Sequence, residues 1–166
     1  MENSARDALL AGGVAVLAGR GAAGLTLRAV EDRAGLAHGS VRHHFGDRDG
    51  LIAALFTYLA TQEEHLAQGS DVVATLQHWL GPGRALTLAR YEMFLLAARN
   101  PRLRAPLLAG RQRFVAIAAS QVGEEAAPTL VAALDGVLLD ALVRGSDTEA
   151  LAASLRHLAA RAQGSA

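Results

Sequence analysis

The residues of this chain best equipped to meet an external partner lie between positions 28 and 48. His38, His43 and His44 share that stretch with Arg28, Ser40, Arg42 and Arg48. Imidazole, hydroxyl and guanidinium groups donate hydrogen bonds that suit phosphate oxygens and base edges. A metal site is a second option. Adjacent helical residues diverge by about 100°, so His43 and His44 do not readily hold one ion, and no carboxylate cluster completes a ligand set. Histidines that are merely solvated are a third option. The exposed side of a short helix favours phosphate and base contact, with His38, Ser40 and His43 best placed for bases. Arg28 can reach a guanine edge or a phosphate.

Other chemistry finds less support. Glu63-Glu64-His65 and Glu124-Glu125 lack partners at catalytic spacing, and no nucleophile, phosphate-loop or metal motif occurs. Gly19-Arg20-Gly21-Ala22-Ala23-Gly24 has the letters of a dinucleotide fingerprint. That fingerprint needs a preceding strand, and here a helical pattern precedes it, so a flexible helix-to-helix loop is expected. The chain is expected to be no enzyme and to use no cofactor and no metal.

The basic residues need elements to hold them. Thr26 can cap a short helix whose apolar positions, Leu27, Val30 and Ala34, keep helical spacing. Gly35 can take positive φ and turn the chain, and Leu36 then plugs the angle between two helices. After a turn of about four residues, a second helix is expected over roughly His38 to Phe45. Val41 and Phe45, four apart, face inward and leave the polar residues on the other sides. This is a helix-turn-helix whose second helix suits the major groove.

The stretch from Leu25 to Leu51 resembles the DNA-binding motif of the TetR family of transcriptional regulators. The correspondence runs through Thr26, Val30, Ala34-Gly35-Leu36, Gly39-Ser40-Val41, His44-Phe45, Arg48 and Leu51. Three positions depart from it. Glu31 stands where the family usually has alanine, Ala37 replaces the usual Ser/Thr cap of the recognition helix, and Arg42 replaces a usual tyrosine. The first two bear on stability, and the third on how the DNA backbone is held. The resemblance implies phosphate contacts from His44 and Arg48. With Thr26, Arg28, His38, Gly39, Ser40, Arg42 and His43, these make the expected DNA-facing set. It also implies a ligand-responsive regulator, a repressor that binds a palindromic double-stranded operator as a homodimer and is released by a small molecule.

An apolar fraction of 51% with 19% charged residues describes a folded globular chain. Sixteen arginines and no lysine balance sixteen acidic residues. The first fifty residues are balanced too, Arg6, Arg20, Arg28, Arg33, Arg42 and Arg48 against Glu2, Asp7, Glu31, Asp32, Asp47 and Asp49. A basic stripe usually marks a DNA binder. Its absence keeps open an alternative, an all-α protein-interaction module without specific DNA binding. Cysteine is absent, which fits a reducing compartment. No signal segment appears, and no uncharged run nears the roughly 18 residues of a membrane span. A cytoplasmic protein without a membrane partner is expected.

The rest of the chain reads as helices. Ser4 and Asp7 suggest a capping box for a first helix running to about Arg20. Asp47 can cap a long fourth helix that ends near Gln68. A short helix from Asp71 to about Leu80 follows Gly69-Ser70 and stops at Gly81-Pro82-Gly83. From Arg84 to Asn100 the residues are apolar on most sides, the pattern of a buried helix. Ala89 to Arg104 resembles a stretch common in TetR-family ligand-binding domains, with Pro101 opening a helix to Val122. Helix-lined pockets need an apolar wall with a few polar groups. Phe56, Trp79, Thr87, Tyr91 and Phe94 are the candidates, and plain core is the competing reading for each. The ligand is expected to be small and apolar, with one or two polar groups.

The last two helices carry leucine seams. Leu130, Leu134, Val137 and Ala141 line one, and Leu151, Leu155, Leu158 and Ala162 the other, capped by Ser146 and Glu149. Both suit a helix hairpin packed on its own copy, so a homodimer through Glu124–Arg161 is expected. The alternative is that the seams close the monomer core. The chain is expected to be all-α, about nine helices. A three-helix helix-turn-helix head over residues 1–47 precedes a helical ligand-binding and dimerisation bundle over 48–166.

Overall fold

Leucine and alanine dominate and β-branched runs are short, so the backbone closes its hydrogen bonds within helices. The computed structural model describes residues 2–67, 72–145 and 148–163. Among these are nine α-helices, two 3-10 turns and no strand. The helices are α1 (Glu2–Arg20), α2 (Leu27–Ala34), α3 (Ser40–Phe45), α4 (Arg48–Ala67), α5 (Val72–Leu80), α6 (Arg84–Arg99), α7 (Arg104–Val122), α8 (Ala127–Arg144) and α9 (Thr148–Gln163). The 3-10 turns cover Ala22–Gly24 and Pro101–Leu103. No single described helix is long and apolar enough to cross a membrane.

Several boundaries differ from the sequence reading. Ser4 lies inside α1, which already runs at Glu2, so it caps nothing. The segment after α1 is an ordered 3-10 turn, not a flexible loop, because Glu92 Oε2 accepts the Ala22 N–H at 2.8 Å. The predicted break at Gly69-Ser70, the helix start at Asp71 and the Ser146 cap lie outside the described residues, as do the side chains of Leu158 and Ala162.

Packing divides the chain into two units, residues 1–61 with 84–110 and residues 62–83 with 111–166. The first has a core of Leu9, Leu10, Leu17, Val30, Val41, Leu51, Ile52, Leu55 and Met93, all essentially without solvent contact. Two adjacent glycines let α1 approach its neighbours. A Cβ on Gly12 would stand 3.1 Å from the Val30 carbonyl oxygen, and one on Gly13 3.0 Å from Leu55 Cδ2. The α6 helix is not buried all round. Thr87, Ala89, Arg90, Met93 and Ala97 form its buried face, while Leu95 is 49% exposed.

The second unit buries Leu76 and Trp79 of α5, Val131, Leu138 and Leu142 of α8, and Ala152 and Leu155 of α9. Arg111 on α7 pairs with Asp135 on α8 at 2.8 Å. Of the α8 seam, Leu130, Leu134 and Val137 are half-buried and Ala141 is buried within this unit. The outward face of α8 is Ala132, Gly136, Leu139 and Val143, with Leu139 48% and Val143 81% exposed. An apolar stripe marks a face that is buried, but does not say whether the cover is the same chain or another.

Candidate functional site

The helix-turn-helix is fixed by local chemistry at each corner. Thr26 Oγ1 accepts the Ala29 N–H at 3.1 Å and starts α2. Gly35, at φ 67°, ends it in the left-handed conformation. Gly39 takes φ 95°, so α3 begins at Ser40 and not at His38. Asp47 Oδ1 accepts the Gly50 N–H at 2.8 Å and opens α4.

The start of α3 is held from outside it. Ala37 has no side chain to cap with, and Gly39 offers none. Instead the carboxylate of Glu31, on α2 and only 4% exposed, reaches across the turn. Its Oε1 accepts the N–H of Gly39 and the N–H of Val41, each at 3.0 Å. A charged acceptor on two N–H groups is a strong cap, and it lies at the positive end of the helix. Two of the three departures from the family pattern thus compensate each other. The signal was in the sequence, as an unexplained acid near an unexplained alanine, but only their proximity in space shows the pairing.

Of the expected DNA-facing residues, Thr26, Arg28, His38, Gly39, Arg42, His43 and Arg48 are exposed, while Ser40 and His44 are half-buried. Val41 beneath them is fully buried and anchors α3. Asp32 gathers two of the set, with His38 Nε2 at 3.1 Å and Arg28 Nε at 3.9 Å. Such exposed pairs are worth about 0–1 kcal/mol, so phosphate can displace them at little cost. Arg48 turns partly inward, its Nε donating to the Leu25 carbonyl at 2.9 Å and its Nη2 to the Ala22 carbonyl at 3.3 Å. This arginine therefore also holds the strand of chain that leads into α2. Arg6 of α1, missed in the sequence, stacks over the Phe45 ring at 5.2 Å and adds an exposed cation beside α3.

The second unit contains a cavity of about 310 Å³ among α5, α7, α8 and α9. Thr75, Leu76 and Trp79 form one wall, Phe114, Ile117 and Gln121 another, and Leu130, Val131, Leu134, Leu155 and Arg156 the rest. Trp79 and Phe114 face each other at 5.8 Å between ring centroids. Of the residues singled out for ligand binding, only Trp79 lines this cavity. Phe56 and Thr87 are buried in the other unit, where Tyr91 and Phe94 meet edge to face at 6.0 Å. Arg90 covers both of those rings, at 5.1 and 6.0 Å. Composition shows that α6 and α7 carry aromatic residues, but not which way each points. Among the described residues no group of three potential ligands is arranged to hold a metal ion.

Comparison with known proteins agrees with this architecture. Residues 9–55 match the model of the tetR family of bacterial regulatory proteins, and residues 64–162 that of the tetracyclin repressor-like C-terminal domain. No curated protein matches the chain. Among solved structures, a TetR-family member from Streptomyces coelicolor A3 is 28% identical with a TM-score of 0.80, covering 93% of this chain and 97% of its own. The multidrug binding protein EbrR complexed with ethidium is 26% identical with a TM-score of 0.76, covering 93% of this chain and 98% of its own. A TetR-family regulator from Rhodococcus sp., 24% identical with a TM-score of 0.78 over 95% of this chain and 96% of its own, shares the fold. The chain belongs to the TetR family and is a DNA-binding transcriptional regulator, not an enzyme.

Proposed function

We propose that this regulator is a cytoplasmic repressor that binds a palindromic operator as a homodimer and is released by a small-molecule effector. Residues 1–47 supply the DNA contacts, and residues 48–166 the effector site and the dimer. The observation that carries the reading is α3 itself. It is a short helix anchored by buried Val41 and capped by Glu31, with Arg42 and His43 exposed on its outer side. A two-fold dimer sets two such helices roughly 34 Å apart, one DNA turn, so the target is a palindrome.

Arg42 faces phosphate, His38, Ser40 and His43 face bases, and His44 and Arg48 hold the backbone. Arg42→Tyr is expected to flatten the slope of log affinity against log salt by about one per half-site. His43→Ala should instead relax preference at particular base pairs. Both are read by anisotropy titration of selected operators at several salt concentrations. If no palindrome is bound above random DNA and Arg42→Tyr leaves the slope unchanged, the interaction-module alternative takes its place.

The homodimer forms through the hairpin of α8 and α9, within Glu124–Arg161. Its contact face is the outward one, Ala132, Gly136, Leu139 and Val143, where small residues permit close helix approach and two apolar side chains otherwise meet water. Val143→Arg is expected to yield monomers of unchanged helix content in sedimentation at micromolar concentration. Leu134→Arg should instead damage the fold, since Leu134 lines the cavity. Dimers of unchanged affinity in Val143→Arg would place the seam elsewhere.

The effector occupies the cavity beside Trp79. The similar protein EbrR is complexed with ethidium, a flat aromatic molecule, and this cavity also offers facing aromatic rings. Binding changes the tilt of α4 and so the spacing of the two heads, a coupling between sites of about 1–3 kcal/mol.

A further inference from the structure

We propose that the cavity beside Trp79 selects a planar aromatic molecule bearing one negative charge and discriminates against cations. The inference rests on the reading of this cavity as the effector site and adds the charge of the ligand. At about 310 Å³ the cavity suits two or three fused or linked rings. Trp79 and Phe114, tilted 49° to each other, offer ring faces for the apolar body. No aspartate or glutamate is among the described residues that line it. The nearest carboxylate on α8, that of Asp135, follows the lining residue Leu134 and is already paired with Arg111 at 2.8 Å. A cation entering here would leave water and meet no acid among the described lining residues to replace it.

An anion finds the opposite. Arg156 lies on the lining, and its side chain is exposed, so the charge sits where the cavity meets solvent. A guanidinium at an opening binds a carboxylate or sulfonate through paired N–H donors without the cost of burying either charge. Thr75 and Gln121 supply neutral polar groups on the same lining. The ligand lays its rings against the Trp79–Phe114 pair, which lines the cavity, and turns its anionic group toward Arg156.

Trp79 is the chain's one tryptophan, so its emission reports occupancy of this cavity directly. Three probes separate shape from charge: 1-anilinonaphthalene-8-sulfonate, the uncharged N-phenyl-1-naphthylamine with the same ring body, and ethidium. The sulfonate should quench Trp79 at lower concentration than ethidium. In Arg156→Gln the sulfonate should bind about fivefold more weakly while the uncharged probe is unaffected. Equal loss for both ring-matched probes, or ethidium binding as tightly as the sulfonate, overturns the charge selection and leaves the cavity reading standing. If none of the three quenches Trp79, the cavity is not the effector site and the proposal falls with it. Brightening of the sulfonate without quenching of Trp79 means binding elsewhere and counts the same way.

Discussion

Replacing Glu31 with alanine is expected to destabilise the chain by about 2–4 kcal/mol, because two N–H groups at the start of α3 lose their only acceptor. The Val41 N–H is buried and loses most; the Gly39 N–H is partly buried and loses less. DNA affinity should fall further than stability alone accounts for, since α3 then frays at the end that must enter the groove. Ala37→Ser places a hydroxyl within reach of the Gly39 N–H two residues on and should restore about 1 kcal/mol in the Glu31→Ala background, with little effect in the wild type. Denaturant unfolding of the four proteins measures this coupling, and amide exchange at Gly39 and Val41 locates it. If Ala37→Ser changes both backgrounds equally, Glu31 is not the cap.

Leu55→Ala should cost about 3 kcal/mol, within the usual range for a fully buried leucine. The partner of this leucine makes the case informative. In the wild type, Gly13→Ala gains up to about 1 kcal/mol of helix propensity but presses a methyl to 3.0 Å from Leu55 Cδ2. Those effects oppose, so the single change should be near neutral or mildly destabilising. Once Leu55 is alanine the crowding is gone, and Gly13→Ala should stabilise by about 1 kcal/mol. A change of sign between backgrounds marks direct contact between α1 and α4. Additive effects would mean that the two helices relax apart.

The sequence showed most where structure is set by neighbours in the chain. Thr26, Gly35 and the Val41–Phe45 spacing place α2 and α3 because caps, turns and amphipathic phase act over a few residues. It showed less where a decision depends on distance in space. Glu31 looked like a defect until Gly39 and Val41 came within 3.0 Å of it. Leu130 and Leu134 read as one apolar face, but periodicity does not say that this face lines a cavity of their own unit. The cavity was legible only through Trp79, because its other aromatic, Phe114, is carried by a helix with little amphipathic asymmetry.

The hydrogen bond from Ala22 to Glu92 joins residues seventy positions apart, and it has a consequence for the order of events at the ribosome. Met93 and Ala97 of α6 complete the core on which α1 packs, and Glu92 fixes the turn leading into α2. A nascent chain that has released only its first fifty-five residues therefore exposes the apolar side of α1 and lacks the acceptor for Ala22. The helix-turn-helix is encoded first but finishes folding late, once α6 has emerged. An amino-terminal fragment should accordingly be helical yet loosely packed, and the earliest DNA-competent species during synthesis is one that already carries α6.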